Sequence, residues 1–254
     1  MQMKKRGVSD GIEVKVGVLE AECKKLNEFY FKYIQTGMPF VTIKFAQSLD
    51  GRIASTTGHS QWISCDASLK LAHRLRGIHD GLMVGIGTVL RDDPRLTVRL
   101  AKGVDPCRII VDSNLKIPLD AKVLTEGDPQ RTIIATTEKI DKSKASMVED
   151  LGAQVIEVDE NQKGQVDLRM LLQRLGEMKI FSVLVEGGAE LLTSFLRANL
   201  VDKFVIAIAP KIIGKGIEAV GNLGIKDVSK AIRFSEVKTR KVGTDLIFEG
   251  WLSK

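Results

Sequence analysis

The sequence predicts an α/β protein: a mostly parallel central sheet flanked by helices, with a C-terminal antiparallel hairpin. Three observations carry this expectation. Short apolar runs of strand length recur along most of the chain, and segments of helical periodicity lie between them. The last stretch, IRFSEVKTRKVGTDLIFEGWL, has no helical pattern but sets VGTD between two strand-like runs. Strands that are apolar throughout, interleaved with helices, belong to a sheet buried on both faces, which is the parallel arrangement.

In chain order, IEVKVGV (residues 12–18) alternates apolar and polar and reads as a strand. In EAECKKLNEFYFKYIQTG, Leu26, Phe29, Tyr30, Tyr33 and Ile34 recur at helical spacing; Gly37 and then Pro39 end this helix near Thr36. FVTIKFA (40–46) is the next strand, followed by the turn-rich SLDGRIASTTGHS. A helix begins at Ser64, carries Asp66 in its first turn and runs through LKLAHRLR. Strands follow at 81–87, 108–112, 131–137, 154–158, 181–187 and 203–210, with helices at about 143–151, 167–178 and 189–199. A composition shift near residue 38 separates a strand-plus-helix appendage, 1–38, from the α/β body, 39–254.

With 44% hydrophobic and 28% charged residues in 254, the chain has the make-up of a soluble globular protein with a substantial core. No apolar run approaches a membrane span, and MQMKKRGVSDG has no apolar stretch behind its basic residues, so the expected location is the cytoplasm and no membrane partner is expected. Cys23, Cys65 and Cys107 form no CxxC pair, and His59, His73 and His79 form no HExxH or HxE pair, so no metal site is expected. The net charge of +6 is spread along the chain and aromatics make up only 5%, which argues against nucleic acid and suits a small phosphorylated ligand.

Ligands of such sheets bind beyond the carboxyl ends of the strands, so the loops there are the candidate sites. In KFAQSLDGRIA, Lys44 and Ala46 share one strand face ahead of an Asp-Gly turn; a plain turn is the alternative. In HSQWIS, Ser60 and Trp62 precede a helix, and Trp62 either covers an aromatic ring or belongs to the core. In GIGTVLRDDPRLTVR (85–99), Gly85 and Gly87 permit close backbone approach, and Asp92 and Asp93 before Pro94 predict extended backbone. The alternation of RLTVR then sends Arg95 and Arg99 to one face with Thr97 between them. Two guanidiniums so placed suit a phosphate dianion; a solvated strand edge with weak Asp–Arg pairs is the alternative. In VLVEGGAELLTSFL, a strand ends at Glu186, two glycines follow, and a helix starts near Ala189. This is either a diphosphate site at a helix start or a tight junction with a solvated acid. It is not a GxGxxG fingerprint. With no Ser–His–Asp set, Walker motif or zinc set beside these loops, chemistry carried by a bound cofactor is the economical expectation.

FVTIKFAQSLDGRIA, SQWIS, HRLRGIHDGLMVGIGTVLRDDPRLTVR, RIIVDSNLKIP, VLVEGGAELLTSFL and LVDKFVIAIAPKIIG, in that order, resemble the reductase domain of the bacterial riboflavin-biosynthesis deaminase–reductases, from about residue 40 to the C-terminus. The resemblance implies a dihydrofolate-reductase-like fold, a homodimer, and NADPH-dependent reduction of the ribosyl group of 5-amino-6-(5-phosphoribosylamino)uracil to ribityl. GIEVKVGVLEAECKKLNEFYFKYIQTGMPF is similar to the end of the deaminase domain and its linker. The deaminase zinc pattern is absent, since DPC at 105–107 lacks its second cysteine, so no deamination is expected. Matched by motif, Ser60, Arg76, Leu96, Arg99 and Glu186 correspond to substrate contacts. Ala46, Trp62, Thr88, Asp92, Ser113 and the run Gly188, Ala189, Glu190, Leu191, Leu192, Thr193 and Ser194 correspond to NADP contacts. Lys44 and Glu186 are the expected catalytic pair, Lys44 assisting ring opening or proton transfer, and Ser113 with Lys116 is expected to meet the 2′-phosphate. The alternatives are the reductase that takes the still-aminated 2,5-diamino-6-ribosylamino-pyrimidinone phosphate, a dihydrofolate reductase, and a non-catalytic NADPH-binding protein.

Overall fold

A computed structural model describes residues 15–253. The chain runs α1 (Glu20–Leu26), α2 (Glu28–Thr36), β1 (Phe40–Ser48), β2 (Arg52–Ser55), α3 (Asp66–Ile78), β3 (Gly81–Gly85), α4 (Ile86–Asp92), β4 (Cys107–Val111) and α5 (Lys122–Thr125). It continues through β5 (Thr132–Thr136), α6 (Lys142–Asp150), β6 (Gln154–Glu157), α7 (Leu168–Glu177), β7 (Ser182–Val185), α8 (Ala189–Arg197), β8 (Lys203–Ala209), β9 (Gly216–Glu218), β10 (Phe234–Val242) and β11 (Asp245–Leu252).

Nine strands form one sheet in the order β10-β11-β8-β1-β7-β3-β4-β5-β6. From β8 to β6 every neighbouring pair is parallel; β11 lies antiparallel to β8 and forms the terminal hairpin with β10. The sheet is buried on both faces because its strands are apolar at odd and even positions alike. On β7, Val183 and Val185 enter one core with Val41, Ile43, Leu171 and Phe195, while Leu184 enters the other with Leu82, Val84, Ile110 and Val148. The α/β class, the mostly parallel sheet and the hairpin around VGTD are therefore as the sequence predicts. Among the described residues no helix is long and apolar enough to cross a membrane.

Five expectations are corrected. Residues 15–18 of the anticipated first strand lie in no strand, and 12–14 fall outside the described residues. The single helix anticipated before residue 37 is two short ones, parted at Asn27, whose φ of −111° leaves the helical range; it ends at Thr36 as anticipated, with Gly37 at φ 69°. The segment after β3 is helical from Ile86 to Asp92 instead of extended. A proline restricts only the residue before it, so Asp93 alone leaves the helical conformation, at φ 38°, and the helix survives up to Asp92. Leu96 then takes φ 53° and turns its side chain into the core at 3% exposure, which breaks the alternation of RLTVR. Arg95 and Arg99 are therefore not aligned on one strand face: Arg95 pairs with Glu126 on the surface while still lowering Arg99 by its charge. The turn-rich SLDGRIASTTGHS also conceals β2, which pairs antiparallel with β9 from 160 residues further along the chain.

The appendage is packed on the body. Phe29 stacks on Phe40 and His79 with ring centroids 5.1 and 4.9 Å apart, and Tyr33 meets Phe181 edge-on at 4.5 Å. Trp251 Nε1 donates to Glu28 at 2.7 Å, and the ammoniums of Lys25 and Lys203 lie 4.0 and 4.3 Å from the Trp251 ring.

Candidate active site

The carboxyl ends of β1, β7, β3 and β4 open into one cavity of about 680 Å³, the volume of a cofactor or substrate site. Strand register assembles its charged end. Ile43 lies opposite Val185 across the parallel β1–β7 pair, so Lys44 comes next to Glu186, the first residue beyond β7. The Glu186 amide donates to Met83 O at 3.0 Å and holds that loop against β3. Helix α3 supplies Arg76, whose Nη2 lies 2.6 Å from Glu186 Oε2 and whose Nε is 3.2 Å from both carboxylate oxygens. The two side chains are only 15% and 12% exposed. Glu186 is thus an ion-paired, buried acid and not a solvated one.

The electrostatics follow from this packing. Burial pushes the Glu186 carboxyl up, but Arg76 and Lys44 outweigh it and hold the acid below its usual range. Burial pushes the Lys44 ammonium down; Glu186 opposes that shift and Arg76 reinforces it. Arg99 is lowered by desolvation and by the nearby Arg76, so it is close enough to feel that charge. Its Nη1 donates to Thr97 Oγ1 at 2.8 Å. Lys44 and Arg76 thus set two cations beside the one carboxylate of Glu186, and Arg99 stands near enough to Arg76 to feel its charge. His73, one turn before Arg76 on α3, is lowered to about 4 by burial and by Arg76 and Arg99, so it is neutral and adds no charge.

The other end of the cavity is built from backbone. β7 runs through Gly187 and Gly188 into α8; a Cβ at Gly188 would meet no atom within 4 Å, and Gly188, Ala189, Glu190 and Leu191 all line the cavity, so the first turn of α8 opens onto it. At Gly187 a Cβ would stand 2.9 Å from Leu191 Cδ2, so this glycine is set by close packing instead. Thr88, Asp92, Ser113, Asn114 and Lys116 line the same cavity, and Ile53, Ala54 and Ile217 of the β2–β9 ribbon border it. Asp112, 1% exposed, accepts from Ile117 N with Oδ2, while its buried Oδ1 has no partner among the described residues.

Of the residues anticipated from the sequence, Lys44, Ser60, Thr88, Asp92, Ser113, Gly188, Ala189, Glu190, Leu191, Ser194 and Glu186 line the cavity. Arg76 reaches it only through Glu186, and Arg99, exposed beyond Thr97, is not part of the lining. Ala46 packs beside Val205, Ala207 and Ile247. Leu96, Leu192 and Thr193 are turned into the interior, at 3%, 0% and 5% exposure, and Thr193 Oγ1 accepts from Gly221 N at 2.8 Å. Trp62 is 67% exposed, which removes the core alternative, and its carbonyl accepts from Lys211 Nζ. The sequence reading named Arg76 but not its grip on Thr97 O at 3.1 Å, and it passed over His73, Asn114 and Asp112. An "HRLR" run within a helix was the one available signal, because His73 and Arg76 three apart share a helix face. Among the described residues no three His, Cys, Asp or Glu are grouped to hold a metal ion.

A doubly covered, mostly parallel α/β sheet whose strand ends open into a cavity beside a buried Lys–Glu–Arg cluster and an open helix start has the layout of a ligand-binding α/β domain. The chain belongs to the RibD C-terminal domain family, whose model matches residues 39–248. It is 43% identical over 239 residues to riboflavin biosynthesis protein RibD of Aquifex aeolicus, covering 93% of this chain and 64% of that protein, and 38% identical to RibD of Actinobacillus pleuropneumoniae, again covering 64% of it. The chain thus spans just under two thirds of the length of these relatives. Among solved structures, RibD of Acinetobacter baumannii superposes with a TM-score of 0.84 at 30% identity, covering 98% of this chain and 67% of that one. The riboflavin biosynthesis reductase Rib7 of Saccharomyces cerevisiae superposes with a TM-score of 0.68 at 28% identity, covering 90% and 99%.

Proposed function

We propose that this chain reduces the ribosyl group of 5-amino-6-(5-phosphoribosylamino)uracil to ribityl, with NADPH as reductant, in riboflavin biosynthesis. The observation that carries this reading is the juxtaposition, in one cavity, of the buried Lys44–Glu186–Arg76 cluster and the open Gly187–Gly188 start of α8. Membership of the RibD C-terminal domain family and the likeness to a riboflavin biosynthesis reductase support it.

The residues present fit a dinucleotide. The glycine junction leaves the α8 amides open to a diphosphate, and Ser113, Asn114 and Lys116 offer polar groups further along the cavity. Bound there, NADPH supplies a hydride equivalent for the sugar C1′. The chain's own residues supply position and protons. Arg76 and Arg99 neutralise the substrate phosphate, and Glu186, oriented by Arg76, accepts hydrogen bonds from the ribosyl or base. Lys44, its charged form disfavoured by burial, holds a proton that is readily released as the sugar ring opens. Holding the reacting carbons together in the cavity would contribute about 7–11 kcal/mol through orientation. The reading also takes the protein as a homodimer of the cytoplasm.

NADPH consumption measured with the deaminated and the aminated ribosylaminopyrimidine phosphates in parallel tests the activity. Turnover of the deaminated compound is expected; oxidation with neither overturns the reading, and preference for the aminated one moves the substrate assignment. Arg99→Ala is expected to raise KM for the phosphorylated substrate about 10- to 100-fold, the worth of a hydrogen bond to a charged group, with NADPH affinity nearly intact. Equal loss of both affinities would give the loop a purely structural role.

A further inference from the structure

We infer that His73 is the positioning residue for Arg99: its imidazole Nδ1 fixes the Arg99 backbone and thereby aims the guanidinium at the ligand phosphate. The inference rests on the proposed role of Arg99 and adds a residue to that site.

The segment from Asp93 to Arg99 lies in no strand or helix, so its backbone groups must find partners outside a ladder. Asp93 N bonds Val89 O at 3.0 Å, and from Thr97 to Arg99 the partners are side chains. Thr97 O accepts from Arg76 Nη1 at 3.1 Å, Val98 N donates to Asp105 Oδ1 at 2.6 Å, and Arg99 N donates to His73 Nδ1 at 3.0 Å. Two of the three come from one face of α3, His73 and Arg76 standing three residues apart. The helix that carries the Glu186-paired arginine therefore also grips the loop that carries the second arginine, at the residue itself. Because Arg99 reaches back to Thr97 Oγ1 with its own Nη1, placing these two residues' backbone also sets where its guanidinium stands.

Accepting from an N–H requires a bare Nδ1, which assigns the proton to Nε2. The surroundings enforce this. His73 is 5% exposed, and burial with Arg76, Arg99 and Lys44 holds it to about 4, so the lone pair stays available across the neutral range. A cationic imidazole there would repel both arginines and lose the bond to Arg99. A neutral acceptor beside two guanidiniums is what the position demands, and no lysine or arginine can serve in it.

Two substitutions separate the ring nitrogens. In His73→Asn the side-chain oxygen falls close to the place of Nδ1; in His73→Gln the amide falls close to that of Nε2. KM for the phosphorylated substrate, and binding of ribose 5-phosphate by calorimetry, which needs no turnover, are measured for both beside NADPH affinity. His73→Asn is expected to stay within about threefold of the parent, and His73→Gln to lose about tenfold in ribose 5-phosphate affinity and KM with NADPH affinity held. On an Arg99→Ala background the difference between the two variants is expected to vanish, since the pair acts through Arg99. Equal behaviour of the two variants, the reverse order, or a difference that persists without Arg99 overturns the inference. An Arg99→Ala protein that binds ribose 5-phosphate as the parent does refutes instead the proposed role of Arg99.

Discussion

The carboxylate of Glu186 joins a buried ion pair to the wall of the cavity. It accepts three contacts from Arg76 and neighbours Lys44, with little of either ion-pair partner left to solvent. Removing one member of such a pair leaves the other charge buried and unmatched, at a cost of about 3–5 kcal/mol, whereas replacing both by apolar groups recovers much of it. Glu186→Gln is therefore expected to lower the midpoint of urea unfolding and to abolish NADPH oxidation. The double variant Glu186→Leu/Arg76→Leu should regain most of the midpoint and none of the oxidation. A double variant as unstable as the single one would show that the site's charges are not a matched pair. The same scale separates the two arginines of RLTVR. Arg95 meets Glu126 with half of its side chain in water, a pair worth at most about 1 kcal/mol, while Arg99 bonds Thr97 Oγ1 and feels the charge of Arg76.

Elements decide which of two adjacent glycines is tested by a ligand. Gly187 is packed against Leu191, whose side chain would have to shift to admit a Cβ there; Gly188 has ordinary backbone angles, φ −70° and ψ 170°, and open space where a Cβ would stand. Gly188→Val is expected to leave the thermal midpoint close to the parent's and to raise the NADPH dissociation constant at least tenfold, read by quenching of protein fluorescence. Unchanged affinity would move the diphosphate away from α8. Helix α3 acts on the site in a comparable way, since one of its faces presents both the partner of Glu186 and the acceptor for Arg99 N.

Across the whole molecule, the seam between appendage and sheet carries a pH signature. His79 lies against Phe29 of α2; its Nδ1–H donates to Leu75 O at 2.7 Å and its Nε2 accepts from Thr42 Oγ1 at 2.9 Å. Burial lowers it from 6.5 to about 4. The folded value lies below the unfolded one, so the unfolded chain takes up the proton first as pH falls. Stability from this group is complete above about 6.5, drains between 6.5 and 4, and changes no further below that, a loss of about 3 kcal/mol. His73 acts in the same direction over the same window. Urea midpoints measured from pH 7 to pH 4 should therefore fall, and His79→Gln should flatten the slope whatever its own stability. Parallel slopes for parent and variant would place the seam's pH response elsewhere. Asp50, held to about 2 by Ser48 and by the amides of Ile213 and Gly214, belongs to a more acidic range and does not blur this window.

Hydrophobic period is a local property, and what depends on it was legible in the chain: the parallel strands, the hairpin at VGTD and the helix beginning beside Gly188. The candidate site was legible where a strand end marks it, at Lys44, Glu186 and Ser113, because strand ends carry ligands in this class of sheet. The short helix Ile86–Asp92 escaped because seven residues offer too little periodicity to outweigh a proline close behind. The β2–β9 ribbon, the break in the RLTVR alternation at Leu96 and the grip of His73 on Arg99 were decided by tertiary structure alone. Each joins atoms far apart along the chain, or turns on one left-handed residue such as Leu96, and a sequence pattern holds no record of either.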